Sequence, residues 1–257
     1  MTEELKRAAI YIPAYNAAAT LPLVLERIPD QVRKNVAEIL IVDNNSSDNT
    51  SLVAVGIRDK EQLHNLEVIR NAKNEGYGGS QKIAYQRAID KGYKCIAMLH
   101  GDAQYAPELV GELIEPVLNG ETDMLFGSRM SGNPLKGGMP LHRFAGNRFL
   151  TWVQNRFLGT NLTEFHSGYR VYSVEALKKV PFERLSSDYH FDTEIIILFV
   201  KHGLRIKERA IPTHYGDEKN YVNIWKYGLD VLITTGTYFL HQTGVRKSRK
   251  WLKILDH

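Results

Sequence analysis

The stretch Met98-Leu99-His100-Gly101-Asp102-Ala103-Gln104-Tyr105 closes an apolar run with an acid and an amide two residues apart. In an extended segment, residues two apart point the same way, so Asp102 and Gln104 would present two oxygen donors side by side. Donors of this kind suit a hard divalent cation. Mg²⁺ takes few protein ligands and leaves substrate phosphates to complete its shell. The competing reading is a polar turn that only terminates a strand.

A strand must deliver such a pair, and the chain repeats the design. Ala8-Ala9-Ile10-Tyr11-Ile12 reads as a buried strand that leaves through Pro13-Ala14-Tyr15-Asn16. Glu38 to Asp43 is a second apolar run ending in an acid, followed by the turn and cap residues Asn44 to Asp48. Leu66 to Arg70, Cys95 to Leu99 and Met124 to Phe126 read as three further strands. Between them, Leu21, Val24, Leu25 and Ile28 recur at helical spacing behind Thr20 as N-cap, with Pro22 tolerated in the first turn. Asn74-Glu75-Gly76-Tyr77-Gly78-Gly79-Ser80 is a glycine-rich loop opening a helix to about Lys91. Alternation of this kind implies a mostly parallel sheet with helices on both faces. Such sheets bind ligands beyond the carboxyl ends of their strands, where all four polar clusters fall. The first turn lacks the spaced glycines of a dinucleotide fingerprint.

From about Ser131 the character changes. A loop rich in glycine and proline runs to Pro140, and His142 to Leu158 reads as a helix carrying Arg143, Arg148 and Arg156. Phe165 to Tyr172 is broken by Gly168, Asp192 to His202 is an apolar helix with an acidic start, and Ile224 to Leu240 is apolar and aromatic.

The 257 residues fit one large α/β domain, or one domain with an appendage. One cysteine, Cys95, excludes a disulfide framework and a cysteine-based zinc site, and its apolar setting predicts core packing. No signal-peptide pattern and no apolar run of about 20 residues is present, which predicts a cytoplasmic protein. The net charge of +4 is concentrated in Arg246 to Lys253. That run is either a solvated tail or a site of attraction to an anionic surface. Nucleic acid is the weakest partner, because the cations carry no recognised motif.

Six elements in order now carry a resemblance: Ile12-Pro13-Ala14-Tyr15-Asn16, Val42 to Thr50, Asn74 to Gly79, Gly101-Asp102-Ala103-Gln104, Gly127-Ser128-Arg129 and Ser167-Gly168-Tyr169-Arg170. Together they resemble inverting glycosyltransferases of the GT-A fold (family 2), and among these the dolichyl- and polyprenyl-phosphate sugar synthases, over about residues 8 to 215. The resemblance implies that Pro13, Tyr15, Asn16, Asp43, Asn74 and Gly78 contact the nucleotide, with Asp102 and Gln104 at the metal–diphosphate site. It places Arg129, Arg143, Arg148 and Ser167 in the acceptor region and Arg170 near the sugar and leaving group. The implied catalytic set is Asp102, Arg129, Arg170 and Glu164. Two positions depart from the pattern. His100 stands where this branch usually has an acid, leaving three roles open: a ring-nitrogen metal ligand, a phosphate contact, or a polar strand end. Glu164 stands where Asp is common.

The resulting expectation is an α/β protein with a GT-A, Rossmann-like core at 1–215, divided into a nucleotide half (about 8–130) and an acceptor half (131–215). A helical, basic, membrane-proximal extension follows at 216–257. The expected reaction moves a hexose from a UDP- or GDP-sugar to a polyprenyl phosphate with Mg²⁺ or Mn²⁺, at the cytoplasmic face of a membrane. One alternative is transfer to a saccharide hydroxyl, with Glu164, Asp192 or Glu194 as base; another is a nucleotide-sugar binding module without catalysis. Trp225, Tyr227, Leu229, Val231, Leu232, Ile233, Tyr238 and Phe239, followed by the basic tail, suit peripheral membrane binding. They equally suit packing on the domain or on a second copy in a homodimer.

Overall fold

The computed structural model describes residues 2–212 and 223–255. The expected domain boundary at 215/216 lies outside the described residues. Seven strands, β1 (Ala8–Ala14), β2 (Glu38–Asp43), β3 (Leu66–Arg70), β4 (Cys95–Met98), β5 (Met124–Ser128), β6 (Arg170–Ser173) and β7 (Ile206–Ala210), form one sheet in the order β3-β2-β1-β4-β6-β5-β7. All neighbours are parallel except β6, which runs antiparallel to both β4 and β5. The sequence pattern identified the first five strands. It missed β6 and β7, because β6 follows a glycine-broken loop and β7, Ile-Lys-Glu-Arg-Ala, lies half-exposed at the sheet edge.

Burial explains the near-continuous apolar runs. Ile10, Ile12, Ile39, Ile41, Ala97 and Val171 face one core, while Ala9, Tyr11, Leu40, Val42, Met98 and Tyr172 face the other. Strands covered on both faces need apolar side chains at every position, not at alternate ones. Cys95 is buried in the first core, as its setting predicts. Helices Leu21–Arg27, Thr50–Glu61, Tyr77–Asp90 and Val110–Leu118 follow β1 to β4 in turn. Because β6 is antiparallel, its first residue, Arg170, sits opposite Met98 and Phe126, at the end where β4 and β5 finish.

Two long helices, Leu141–Leu158 and Ile224–Gln242, pack on each other, with Phe157 and Phe239 rings 4.7 Å apart. The second buries Val231, Thr234, Thr235 and Tyr238 and exposes Trp225, Leu229 and Ile233 at helical spacing. It therefore packs on the domain and still leaves an apolar stripe outward. The tail is not a free basic strand. Helix Arg249–Leu255 docks by burying Trp251 and Ile254, the Trp251 indole N–H donates to Thr237 Oγ1 at 3.3 Å, and Lys250 pairs with the buried Glu194. Trp251 is therefore covered by the domain and does not belong to the exposed surface of the tail.

Trp251→Ala is expected to cost about 3–5 kcal/mol, the range for emptying a buried aromatic site. Urea unfolding of the full chain checks this; a change near zero would mean that the tail is solvated.

Candidate active site

The carboxyl ends of β1 to β5 open into a cavity of about 1030 Å³. Its lining includes Pro13, Tyr15, Asn16, Asn74, His100, Asp102 and Gln104 from the strand-end loops. Arg129, after β5, and Arg143, on the Leu141–Leu158 helix, supply cations to the same space.

The loops are held open by side chains that satisfy backbone groups. Asn16 and Asn45 adopt positive φ, 51° and 63°, in the left-handed region that Asn tolerates. Asn16 Oδ1 accepts the Ser47 N–H at 2.9 Å, locking the β1 turn to the β2 turn. Asn44 Nδ2 donates to Asn74 Oδ1 at 2.8 Å while Asn44 Oδ1 accepts from Asn71, which ties the β2 and β3 loops together. Thr20 occupies the N-cap position but does not cap; its hydroxyl donates to the Gly101 carbonyl at 2.6 Å, tying the first helix to the β4 loop.

Asp102 and Gln104 both line the cavity, but from a turn and not from an alternating strand. β4 ends at Met98, and Ala103 sits at φ 62° in a turn. Asp102 Oδ1 accepts the Gln104 backbone N–H at 3.1 Å, an Asx-type turn made by the acid itself. Asp102 Oδ2 faces His100 Nδ1 at 3.8 Å, and the Asp102 side chain is 41% exposed. The donor set of one ionised carboxylate and one amide fits a Mg²⁺-type cation that takes its remaining ligands from a diphosphate. Among the described residues no cluster of three His, Cys, Asp or Glu side chains offers a cation a complete cage.

Several expected site residues do not line the cavity. Asp43 is fully buried and is spent on its own loop, accepting the Ser46 N–H at 2.8 Å and the Ser51 hydroxyl. Gly78 is a glycine because chain 186–191 presses on it: a Cβ there would collide with the Ser186 carbonyl and Phe191, and its N–H donates to Ser187 O at 2.8 Å. Arg148 is exposed; five residues past Arg143, it points about 140° away around the helix. Ser167 is buried, and its carbonyl accepts the Arg170 Nε–H at 2.7 Å. Arg170 lies beneath the floor, bound to the carbonyls of Ser167, Phe165 and Asp192 and 3.3 Å from the Asp192 carboxylate. It holds the floor in place and is not among the residues that line the cavity.

Glu164 is likewise a positioning residue. It is fully buried and forms an ion pair with Arg129, with Arg129 Nε–H donating to Oε1 at 2.9 Å, the Arg129 backbone N–H to Oε2 at 2.8 Å, and Asn147 to Oε1 at 2.8 Å. Burial would raise its pKa, yet Arg129 and Asn147 hold it below the usual carboxylate range. Asp192 accepts from Tyr77 and Gln81, both at 3.1 Å, and Glu194 binds Lys250 and the Ser186 N–H. Glu164, Asp192 and Glu194, the carboxylates expected as base for a hydroxyl acceptor, thus each hold protein partners, and of the three only Asp192 lines the cavity.

The sequence reading missed the aromatic wall. Tyr77 stacks on Tyr189 at 5.1 Å, His100 meets Tyr105 edge-on at 5.2 Å, and His166 Nδ1 lies 2.9 Å from the Tyr227 hydroxyl. These pairs join residues between about 60 and 110 positions apart or touch only across a loop, so local spacing carries no signal for them. Burial drives the His166 pKa down to about 3, against an opposing contribution from Glu164.

Two outcomes follow from these environments. Glu164→Asp should retain most activity, because a carboxylate still accepts from Arg129, whereas Glu164→Ala should lose about 10- to 100-fold in kcat/KM, equivalent to one charged hydrogen bond; unchanged activity in Glu164→Ala would show that Arg129 needs no such support. His166 refuses a proton that the unfolded chain accepts, so stability should fall as pH drops from about 6.5 towards 3. Denaturant titrations across that window should show a shallower pH slope in His166→Asn; an unchanged slope would contradict the assignment.

Residues 9–181 match the family model described as glycosyl transferase family 2. The UDP-N-acetylglucosamine–dolichyl-phosphate N-acetylglucosaminyltransferase of Methanococcus voltae is 27% identical over 216 residues, covering 80% of this chain and 85% of that protein. The undecaprenyl-phosphate mannosyltransferase of Micrococcus luteus is 28% identical over 210 residues, covering 80% and 82%. Among solved structures, glucosyl-3-phosphoglycerate synthase from Mycobacterium tuberculosis, in complex with Mn²⁺, UDP and glucosyl-3-phosphoglycerate, shares the fold with a TM-score of 0.65 at 18% identity, covering 91% of this chain and 82% of that one. The mixed, mostly parallel sheet with its ligand cavity at the strand ends, and a family match across most of the chain, lead to one conclusion: this chain belongs to glycosyltransferase family 2 and is a glycosyltransferase of GT-A fold.

Proposed function

We propose that the enzyme transfers a hexose from a UDP- or GDP-sugar to a polyprenyl phosphate, with inversion at the anomeric carbon and with Mg²⁺ or Mn²⁺. The observation that carries this reading is the cavity's composition: an exposed carboxylate and amide, Asp102 and Gln104, share it with Arg129 and Arg143. Two relatives with similar sequences bear names of polyprenyl-phosphate sugar transferases.

The chemistry follows from charge. Asp102 and Gln104 would hold a divalent cation that neutralises charge developing on the leaving diphosphate as a Lewis acid. Asn16, Asn74 and Tyr15 line the wall on which the nucleoside rests. A phosphate acceptor is largely ionised at neutral pH and needs no base, only cations that hold it in line. Arg129, held by Glu164, lines the cavity and would set a fixed guanidinium beside the acceptor phosphate. The engagement of Glu164, Asp192 and Glu194 by other partners favours a phosphate over a saccharide hydroxyl as acceptor.

A lipid acceptor also accounts for the outer surface. Helix Leu141–Leu158 lines the cavity with Arg143, Asn147 and Leu150 and exposes Leu141, Phe149 and Trp152. The adjoining helix exposes Leu229, Ile233 and Trp225, the last at 90%. No helix among the described residues is long and apolar enough to cross a membrane. These stripes would seat the cavity mouth on the cytoplasmic face of a bilayer, with Arg148, Arg156 and Arg246 near anionic headgroups.

Transfer assays with radiolabelled UDP- and GDP-sugars and a polyprenyl phosphate test the reading. Asp102→Ala should abolish transfer while lowering stability by no more than about 1–3 kcal/mol, the worth of the one turn hydrogen bond it loses. Arg143→Ala should raise KM for the lipid phosphate about 10-fold or more, the worth of one charged contact, with nucleotide affinity held within twofold. Transfer to a free sugar hydroxyl but not to lipid phosphate would overturn the proposal, as would nucleotide binding without any transfer.

A further inference from the structure

The hydrogen bonds around His100 determine which of its nitrogens carries the proton. Asp192 is ion-paired to Arg170 at 3.3 Å, so its carboxylate only accepts. The Tyr77 hydroxyl lies 3.1 Å from Asp192 Oδ2 and must spend its one proton there. The same oxygen is 3.2 Å from His100 Nε2. Having no second proton to give, it accepts, and Nε2 therefore bears the hydrogen. A neutral imidazole protonated at Nε2 has its lone pair on Nδ1.

That lone pair faces Asp102. Nδ1 and Asp102 Oδ2 are 3.8 Å apart, beyond hydrogen-bonding distance, so neither satisfies the other. Both residues line the cavity. The ring is fixed in this pose: Tyr77 and Tyr105 meet it edge-on at 5.7 and 5.2 Å, and a Cβ on Gly168 would collide with Nε2. Gly168 is thus small so that the imidazole can lie over it.

We infer that His100 is a ligand of the catalytic cation, its Nδ1 acting beside Asp102 Oδ2 while the chain from Nε2–H through Tyr77 to Asp192 fixes the tautomer. The inference rests on the metal dependence proposed above and names the ligand that distinguishes this chain. A metal-bound histidine whose second nitrogen is oriented through a hydrogen-bonded carboxylate is a recurrent arrangement. Imidazole suits first-row transition ions better than Mg²⁺, so the site should favour Mn²⁺ or Co²⁺ over Mg²⁺.

Pulsed EPR on the full chain with Mn²⁺ and UDP, and separately GDP, tests this. The expected spectrum shows modulation from a directly bound ¹⁴N nucleus, which changes to the ¹⁵N pattern when the histidines are ¹⁵N-labelled. His100→Asp should still bind the Mn²⁺–nucleotide complex, lose that modulation and shift its calorimetric preference towards Mg²⁺. Tyr77→Phe should weaken Mn²⁺ binding about 10-fold, as loss of an orienting partner does. Mn²⁺ bound in an Asp102-dependent way without nitrogen modulation, or modulation that survives in His100→Asp, overturns the inference and leaves metal-dependent transfer standing. Failure of either nucleotide to bring Mn²⁺ to the protein overturns both.

Discussion

The buried pair of Arg170 and Asp192 is the constraint on which the floor of the site depends. Arg170 is the first residue of the antiparallel strand β6, and its guanidinium gathers the carbonyls of Phe165, Ser167 and Asp192. Asp192, in the first turn of helix Phe191–Lys201, takes hydrogen bonds from Tyr77 and Gln81 of helix Tyr77–Asp90. One ion pair therefore joins a strand, two helices and the loop after Glu164. A pair of this kind contributes little net stability against an apolar replacement, but losing one partner strands a buried charge at a cost of about 3–5 kcal/mol. Its return is geometric: it sets the height of Tyr77 and, through it, the orientation of His100.

Around that floor, the carboxylates divide by exposure. Asp43, Glu164, Asp192 and Glu194 are buried and each is committed to backbone N–H groups, hydroxyls or cations. A buried charge without such partners would be too costly to keep ionised. Asp102 differs, because one oxygen closes its own turn while the other faces the cavity. The acids of the fold thus hold the walls in place, and the acid of the turn remains open to a ligand.

This division explains what the sequence could and could not convey. Apolar runs such as Ile39 to Val42 and Ala9 to Ile12 are written into strands by burial on both faces, and the clusters that follow them had to fall at the ligand end. The placement of Pro13, Asn16, Asn74, Asp102 and Gln104 was legible for that reason. The roles of Asp43, Glu164 and Arg170 were not, since an acid or arginine near a site has the same local spacing whether it touches substrate or supports a neighbour. Only the partner decides, and the partners here are distant in sequence: Glu164 with Arg129, Arg170 with Asp192. Arg148 was misplaced for a simpler reason, the angular period of the helix that carries it.

The glycines at the floor show the same dependence from the opposite side. Gly78 and Gly168 read as features of motifs that touch ligand, yet each answers to a protein neighbour. Gly78 admits the 186–191 segment, which brings Tyr189 onto Tyr77, and Gly168 admits the ring of His100. Both glycines thus bear on the Tyr77–His100 contact that Arg170 and Asp192 support from below. A replacement at either would act on the ligand wall without touching ligand, by moving an aromatic ring through steric exclusion. Because interiors pack at the density of crystals, such a displacement cannot be absorbed locally and is passed on to the next ring. The motifs of the strand-end loops are in this sense read twice, once by the ligand they face and once by the aromatic layer beneath them.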